Sequence, residues 1–137
     1  MQHATLTEQA RHWATSQPEQ VWMRDLTESG PTDYTWGSAV AEIDRVAAWL
    51  EAKFGHGERM ALLSKNRAHW IMADMGIIHS GNIAVPLFTT HAQTTAEYIL
   101  SFTDTKALFP GRLETWRAGK RSLPGAWALR TSPGADP

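Results

Sequence analysis

An α/β fold is predicted by three features of the sequence. Three short apolar segments, 59–64, 83–88 and 106–109, alternate with two helical patterns. Those segments are apolar on both faces, as strands of a covered parallel sheet are. Ahead of them a long amphipathic pattern, with Val40, Ile43, Ala47, Leu50 and Phe54 on one stripe, adds a helix to cover a face. The expectation is a strand-helix-strand-helix-strand unit with a parallel sheet and right-handed crossovers, preceded by a helix and a short hairpin.

The first helix is placed at 6–16, with Leu6, Ala10 and Trp13 on one face and Pro18 as its stop. Segments 21–25 and 33–36 read as strands joined by the turn-rich Thr27-Glu28-Ser29-Gly30-Pro31, hence a hairpin whose register the sequence leaves open. Thr35 or Ser38 caps the amphipathic helix, Glu42, Arg45 and Lys53 lie off its apolar stripe, and Gly55-His56-Gly57 ends it.

After the strand 59–64, Asn66 is read as the cap of a helix that runs through Ser80 and stops at Gly81. That helix is apolar nearly all round (Trp70, Ile71, Ala73, Met75, Ile77, Ile78), so it is expected to pack between the sheet and a second body. A second strand at 83–88, a helix at 94–102 with Ile99 and Phe102 inward, and a third strand at 106–109 complete the unit. The seven Trp residues are read as core-packing groups.

The 137 residues are enough for one modest domain or part of a larger one, and an apolar fraction of 42% excludes a disordered chain. No Cys is present, which removes disulfides, thiolate metal sites and a Cys nucleophile and fits a reducing compartment. Without a signal-like start or an apolar run of spanning length, a cytoplasmic protein with no transmembrane segment is expected. The 13 Lys+Arg nearly balance 14 Asp+Glu, so no nucleic-acid partner is expected. The balance shifts along the chain: residues 1–109 hold 8 basic and 12 acidic side chains, and residues 110–137 hold 5 and 2 among several Pro and Gly. The chain is therefore divided into a main unit, 1–109, and a basic Pro/Gly-rich tail, 110–137, which continues the same domain or is an altered end. In that tail Arg112, Arg117, Lys120, Arg121 and Arg130 stand among Trp116 and Trp127, a mixture read as surface rather than as a nucleic-acid arm.

Chemistry is sought first at the turn Ser64-Lys65-Asn66-Arg67, because a turn from strand to helix can present amides to phosphate. It lacks both G-x-G-x-x-G and G-x-x-x-x-G-K-[ST], so solvated charge and helix capping are the preferred reading. His56, His69, His79 and His91 show no metal-ligand spacing, and no G-x-S-x-G elbow is present. Asp25, Glu28 and Asp33 are nominal carboxylates for glycoside chemistry, but an acidic hairpin turn explains them.

The order of segments carries more than any single motif. Residues 33–40, Asp-Tyr-Thr-Trp-Gly-Ser-Ala-Val, resemble a TYxEL-type entry from strand to helix, which is followed by Ala48-Trp49-Leu50 and then Gly55-His56-Gly57-Glu58-Arg59. Residues 60–66 with Trp70, residues 79–88 (HSGNIAVPLF), and residues 94–100 and 105–109 follow in the order of the N-terminal part of acyl-adenylate-forming enzymes, most like long-chain fatty-acid-CoA ligases. The resemblance spans residues 6–109 and implies an incomplete part of that family's N-terminal domain. It also implies fatty-acid activation through an acyl-adenylate, with ATP, Mg²⁺ and CoA used by full-length members. The family's Ser/Thr/Gly-rich phosphate loop ending in P-K-G, its aromatic-Gly-x-Thr-Glu segment, its ribose-binding Asp and its C-terminal Lys have no match here. No catalytic, cofactor-binding or metal-binding residue is carried over. The chain is expected to be inactive and cofactor-free alone, as a scaffold segment that associates with the remainder of a ligase. The alternative is a stand-alone interaction module or one half of a split ligase.

Overall fold

The computed structural model describes residues 4–27 and 29–111. Helix α1 (Leu6–Ser16) begins at Thr5 with a capping box, in which the Thr5 hydroxyl accepts from the Glu8 amide and the Glu8 carboxylate accepts from the Thr5 amide at 2.7 Å. Strands β1 (Val21–Thr27) and β2 (Gly30–Thr35) form an antiparallel hairpin in which Arg24 faces Asp33 and Asp25 faces Thr32. The strands run further into the turn than the sequence suggests. Helix α2 (Trp36–Phe54) starts at Thr35, whose hydroxyl accepts from the Ser38 amide, and ends at Gly55 with φ of 72°.

Strands β3 (Arg59–Leu63), β4 (Ile83–Leu87) and β5 (Ala107–Pro110) form a parallel sheet in the order β4-β3-β5, linked by helices α3 (Ala68–His79) and α4 (Gln93–Phe102). Alternation along β3 divides the core in two. Met60 and Leu62 point to one face, where Leu50 of α2, Ile77 of α3 and Ala107 of β5 close over them. Ala61 and Leu63 point to the other face, against Leu87, Leu100 and Leu108. Each large side chain taken fully out of water here stabilises the fold by about 1.5–3 kcal/mol. A third cluster joins Ala10 of α1, Ala39, Val40 and Ile43 of α2, and Ala68, Met72 and Met75 of α3, with Trp22, Met23 and Tyr34 of the hairpin against it.

Helix α3 thus packs on the sheet with α2 alongside it on the same face, so much of the second body expected beside it is supplied by this chain. The two helices approach closely at Gly76, where a Cβ would stand 2.6 Å from Val46 Cγ1. An outer stripe of α3 remains, with Ile71 and Ile78 exposed and Asp74 half-buried between them. The amino ends of β3 and β4 are tied by buried Asn82. Its amide donates to the Gly55 carbonyl (3.0 Å) and the Ser80 hydroxyl (2.8 Å), and its oxygen accepts from the Glu58 amide (2.9 Å).

Several side chains depart from expectation. Phe102 is exposed rather than inward, because Ala96, Ile99 and Leu100 form the buried stripe of α4 and Phe102 lies opposite, stacked on Tyr98 with ring centroids 5.7 Å apart. Leu6 is also exposed, and Ala10 is the buried residue of α1, since a small side chain lets α1 lie close on α2. None of the described Trp residues is fully buried. Trp22 and Trp36 stack at 4.2 Å with Trp13 beside them, while Trp116 and Trp127 lie outside the described residues.

Candidate functional site

The loops after β3 and β4 leave toward opposite faces of the sheet, because α3 covers one face and α4 the other. The sheet order β4-β3-β5 puts the topological switch, the usual place for a ligand in an open α/β sheet, between β3 and β5, and the loops after β3 and β4 part above the carboxyl ends of their own two strands. A hollow of about 480 Å³ lies there, lined by Ser64, Lys65, Asn66 and Trp70 from the β3 side and by Pro86, Leu87, Phe88 and Thr89 from the β4 side. A second hollow of about 330 Å³ lies between the carboxyl ends of β3 and β5 and the α2/α3 layer, with Val46, Leu62, Trp70 and Phe109 as its apolar lining and Glu42, Ser64, Arg67 and His69 as polar groups.

The turn Ser64–Arg67 lies at both hollows, but its geometry serves the fold. The Ser64 hydroxyl donates to the Lys65 carbonyl at 3.0 Å, and Gly111 passes so close that a Cβ there would meet Ser64 Oγ at 2.2 Å. The position that precedes helix α3 as its cap is Arg67, not Asn66, and the Arg67 side chain makes no capping hydrogen bond. Its first amide, at Ala68, donates instead to Asp25 Oδ1 of β1 at 2.9 Å, and Arg67 Nε stands 3.5 Å from Asp25 Oδ2. The site where a helix amino end would attract a phosphate is therefore filled by this chain's own carboxylate.

The other nominal residues are dispersed. Asp25 and Asp33 lie on opposite faces of the hairpin, Asp33 being held at the surface by Arg24 (Nη2 to Oδ2, 2.7 Å), so they form no pair across a substrate. Glu28 and the basic tail residues Arg112, Arg117, Lys120, Arg121 and Arg130 lie outside the described residues. His56 Nδ1 donates to the Ser80 carbonyl at 2.8 Å, and His69 meets the Tyr34 ring edge-on at 5.4 Å. His79 contacts Arg11 and stands 3.6 Å from Asp44, and His91 packs against Phe88 at 5.3 Å. Among the described residues no group of three His, Asp or Glu converges as a cation site.

Displaced carboxyl titrations also lie outside both hollows. The Arg24 guanidinium holds Asp33 below its ordinary range, and Lys106, aided by Arg59, does the same for Asp104. Burial on α3 pushes Asp74 upward. Neither hollow has a glycine-rich cradle of amides, so the residues present do not fit ATP phosphates or their Mg²⁺, and no chemical step is assigned to them. No helix among the described residues is long and apolar enough to cross a membrane.

Comparison with known proteins adds what the geometry lacks. Residues 10–129 match the family model described as AMP-binding enzyme. A long-chain-fatty-acid–AMP ligase of Mycolicibacterium smegmatis is 38% identical over 58 residues, 42% of this chain and 9% of that protein. A probable CoA ligase of Humulus lupulus is 28% identical over 116 residues, 82% of this chain and 22% of that protein. The crystal structure of a fatty acid AMP ligase from Legionella pneumophila superposes with a TM-score of 0.72 at 21% identity, over 80% of this chain and 20% of that one. The chain thus spans less than a quarter of each of these relatives.

Proposed function

Since this chain belongs to the AMP-binding enzyme family, we propose that it is the N-terminal scaffold segment of an ATP-dependent long-chain fatty-acid ligase, inactive by itself. Nucleotide, Mg²⁺ and the acyl group are bound by parts of the ligase outside this chain, and CoA accepts the acyl group in a ligase of the CoA type. One observation carries this reading: the family match runs through a strand-to-helix turn whose anion position is closed by Asp25 and which has no phosphate cradle. Adenylation needs donors and a cation aimed at the charge that develops on phosphorus, and neither hollow offers that set. The fatty-acid substrate rests on the relatives named for it in Mycolicibacterium smegmatis and Legionella pneumophila.

A second reading, an interaction module or one half of a split ligase, is favoured by the cover on both faces of the sheet, which lets the chain hold a core of its own. Calorimetric titration of the purified 137-residue chain with Mg-ATP separates these readings from a nucleotide-binding one. No heat of binding is expected at millimolar ATP, and saturable binding would overturn the scaffold assignment.

A further inference from the structure

Helix α1 is seated on the rest of the molecule by few side chains, and none of them is large and buried. Among its residues only Ala10 is buried, at 4% accessible, while Leu6 is 73% and Trp13 38% accessible. A single methyl group contributes little apolar burial, so the seat holds α1 weakly. Its other ties lie in water. Arg11 Nη2 meets Asp44 Oδ1 of α2 at 3.0 Å and also contacts His79 of α3, but the Arg11 and Asp44 side chains are both about half exposed and solvent screens the pair. Trp13 stacks on Trp36 with centroids 6.3 Å apart, a looser contact than the 4.2 Å between Trp36 and Trp22.

The chain is fastened again directly after this helix. The Pro18 carbonyl accepts the Gly37 amide at 2.9 Å and the Gln20 carbonyl accepts the Trp36 amide at 3.0 Å, so residues 18–20 are held to the start of α2. Between the helix and this fastening stands Gln17, with φ of −142° and ψ of 57°. A residue before proline is kept out of the helical conformation, so α1 does not run on as a rigid rod into the fastened segment. At its other end α1 carries its own capping box, Thr5 with Glu8, and so takes its amino-terminal cap from no other element. The hairpin is held differently, since Asp25 pins it to α3 and Trp22, Met23 and Tyr34 pack on the core.

We infer that α1 is a hinged arm, which lifts from α2 about Gln17 while the hairpin, α2 and the sheet stay folded. Lifting breaks the Arg11–Asp44 pair and uncovers one face of Trp36 with part of the stripe Ala39, Val40 and Ile43, so the two arrangements present different apolar surfaces. The arm follows from the packing of this chain and goes beyond the scaffold reading, on which it does not depend.

Amide hydrogen exchange on the full 137-residue chain, followed through rising sub-denaturing urea, tests this. The Trp13 and Ala14 amides are expected to exchange at least about tenfold faster than those of Ala61 and Leu62 in β3, with a weaker urea dependence, because lifting α1 exposes less surface than unfolding does. Trp13→Ala removes the stack and is expected to speed α1 exchange about fivefold further, with β3 unchanged. Ala10→Asp puts a charge into the seat and is expected to abolish protection in α1 while Ala47 and Leu50 of α2 keep theirs. One rate and one urea slope shared by α1 and β3 would overturn the inference, because α1 would then open only with the whole fold. Equal acceleration of α1 and β3 in Trp13→Ala would overturn it too. So would loss of protection in α2 and β3 in Ala10→Asp, or failure of that variant to fold.

Discussion

Asp25 on β1 caps helix α3 across 43 positions of sequence, accepting the Ala68 amide at 2.9 Å while its second oxygen faces Arg67. The hairpin is therefore fastened to the helix that leaves the central strand, and the fastening occupies the one place where α3 could have received an anion. Replacing Asp25 by Ala removes the cap and leaves a half-buried Arg67 without its carboxylate, so unfolding in urea should show a loss of about 1–2 kcal/mol. Asp25→Asn keeps an acceptor and should lose less. Equal losses for the two variants would show that charge, not capping, makes the contact.

Gly76 is the point of closest approach between α3 and α2, and Ala there gains helix propensity but meets the Val46 side chain at 2.6 and 2.9 Å. Overpacking of this kind costs about 1–3 kcal/mol, against a propensity gain of about 1 kcal/mol, so Gly76→Ala should be net destabilising. The double variant Gly76→Ala with Val46→Ala should be more stable than the two single losses predict when summed, as read from a double-mutant cycle in urea. Additive losses would mean that the Gly76 and Val46 positions do not interact.

Asp74, half-buried on the outer stripe of α3, has its carboxyl titration raised by burial. The native state therefore holds its proton to higher pH than the unfolded chain does. Asp74's contribution is fully favourable below its ordinary carboxylate range and is lost as pH rises through the raised native value. Asp74→Asn should accordingly be more stable than the unaltered chain at pH 7, with the advantage shrinking as pH is lowered through the carboxylate range. Parallel stability curves for the two proteins across that range would contradict the role given to burial.

Much of this architecture was legible because local rules and global packing agree at particular residues. Thr35 before an apolar stripe, Gly55 after it, and strands apolar on both faces each fixed an element that the structure contains. The exceptions share one cause, distance in sequence. Asn66 is the nearest side chain suited to cap α3, and nothing local announces that Asp25 arrives there from the hairpin. The apolarity of Phe102 predicts an inward side chain, while Ile99 and Leu100 of the same helix already fill the contact with the sheet. At the candidate site, the missing glycine cradle was readable from residues 64–67, and the family resemblance from the order of segments. The crevice between the loops after β3 and β4 is not, since it depends on which faces α3 and α4 take.

The most direct measurement is fatty-acid-dependent exchange of pyrophosphate into ATP, made with the 137-residue chain alone and with the chain co-expressed beside the part of the Legionella pneumophila ligase beyond the matched stretch. Exchange is expected only in the second sample, at least about tenfold above that part expressed without this chain. Exchange catalysed by the chain alone would contradict its role as a scaffold whose catalytic groups lie elsewhere in the ligase.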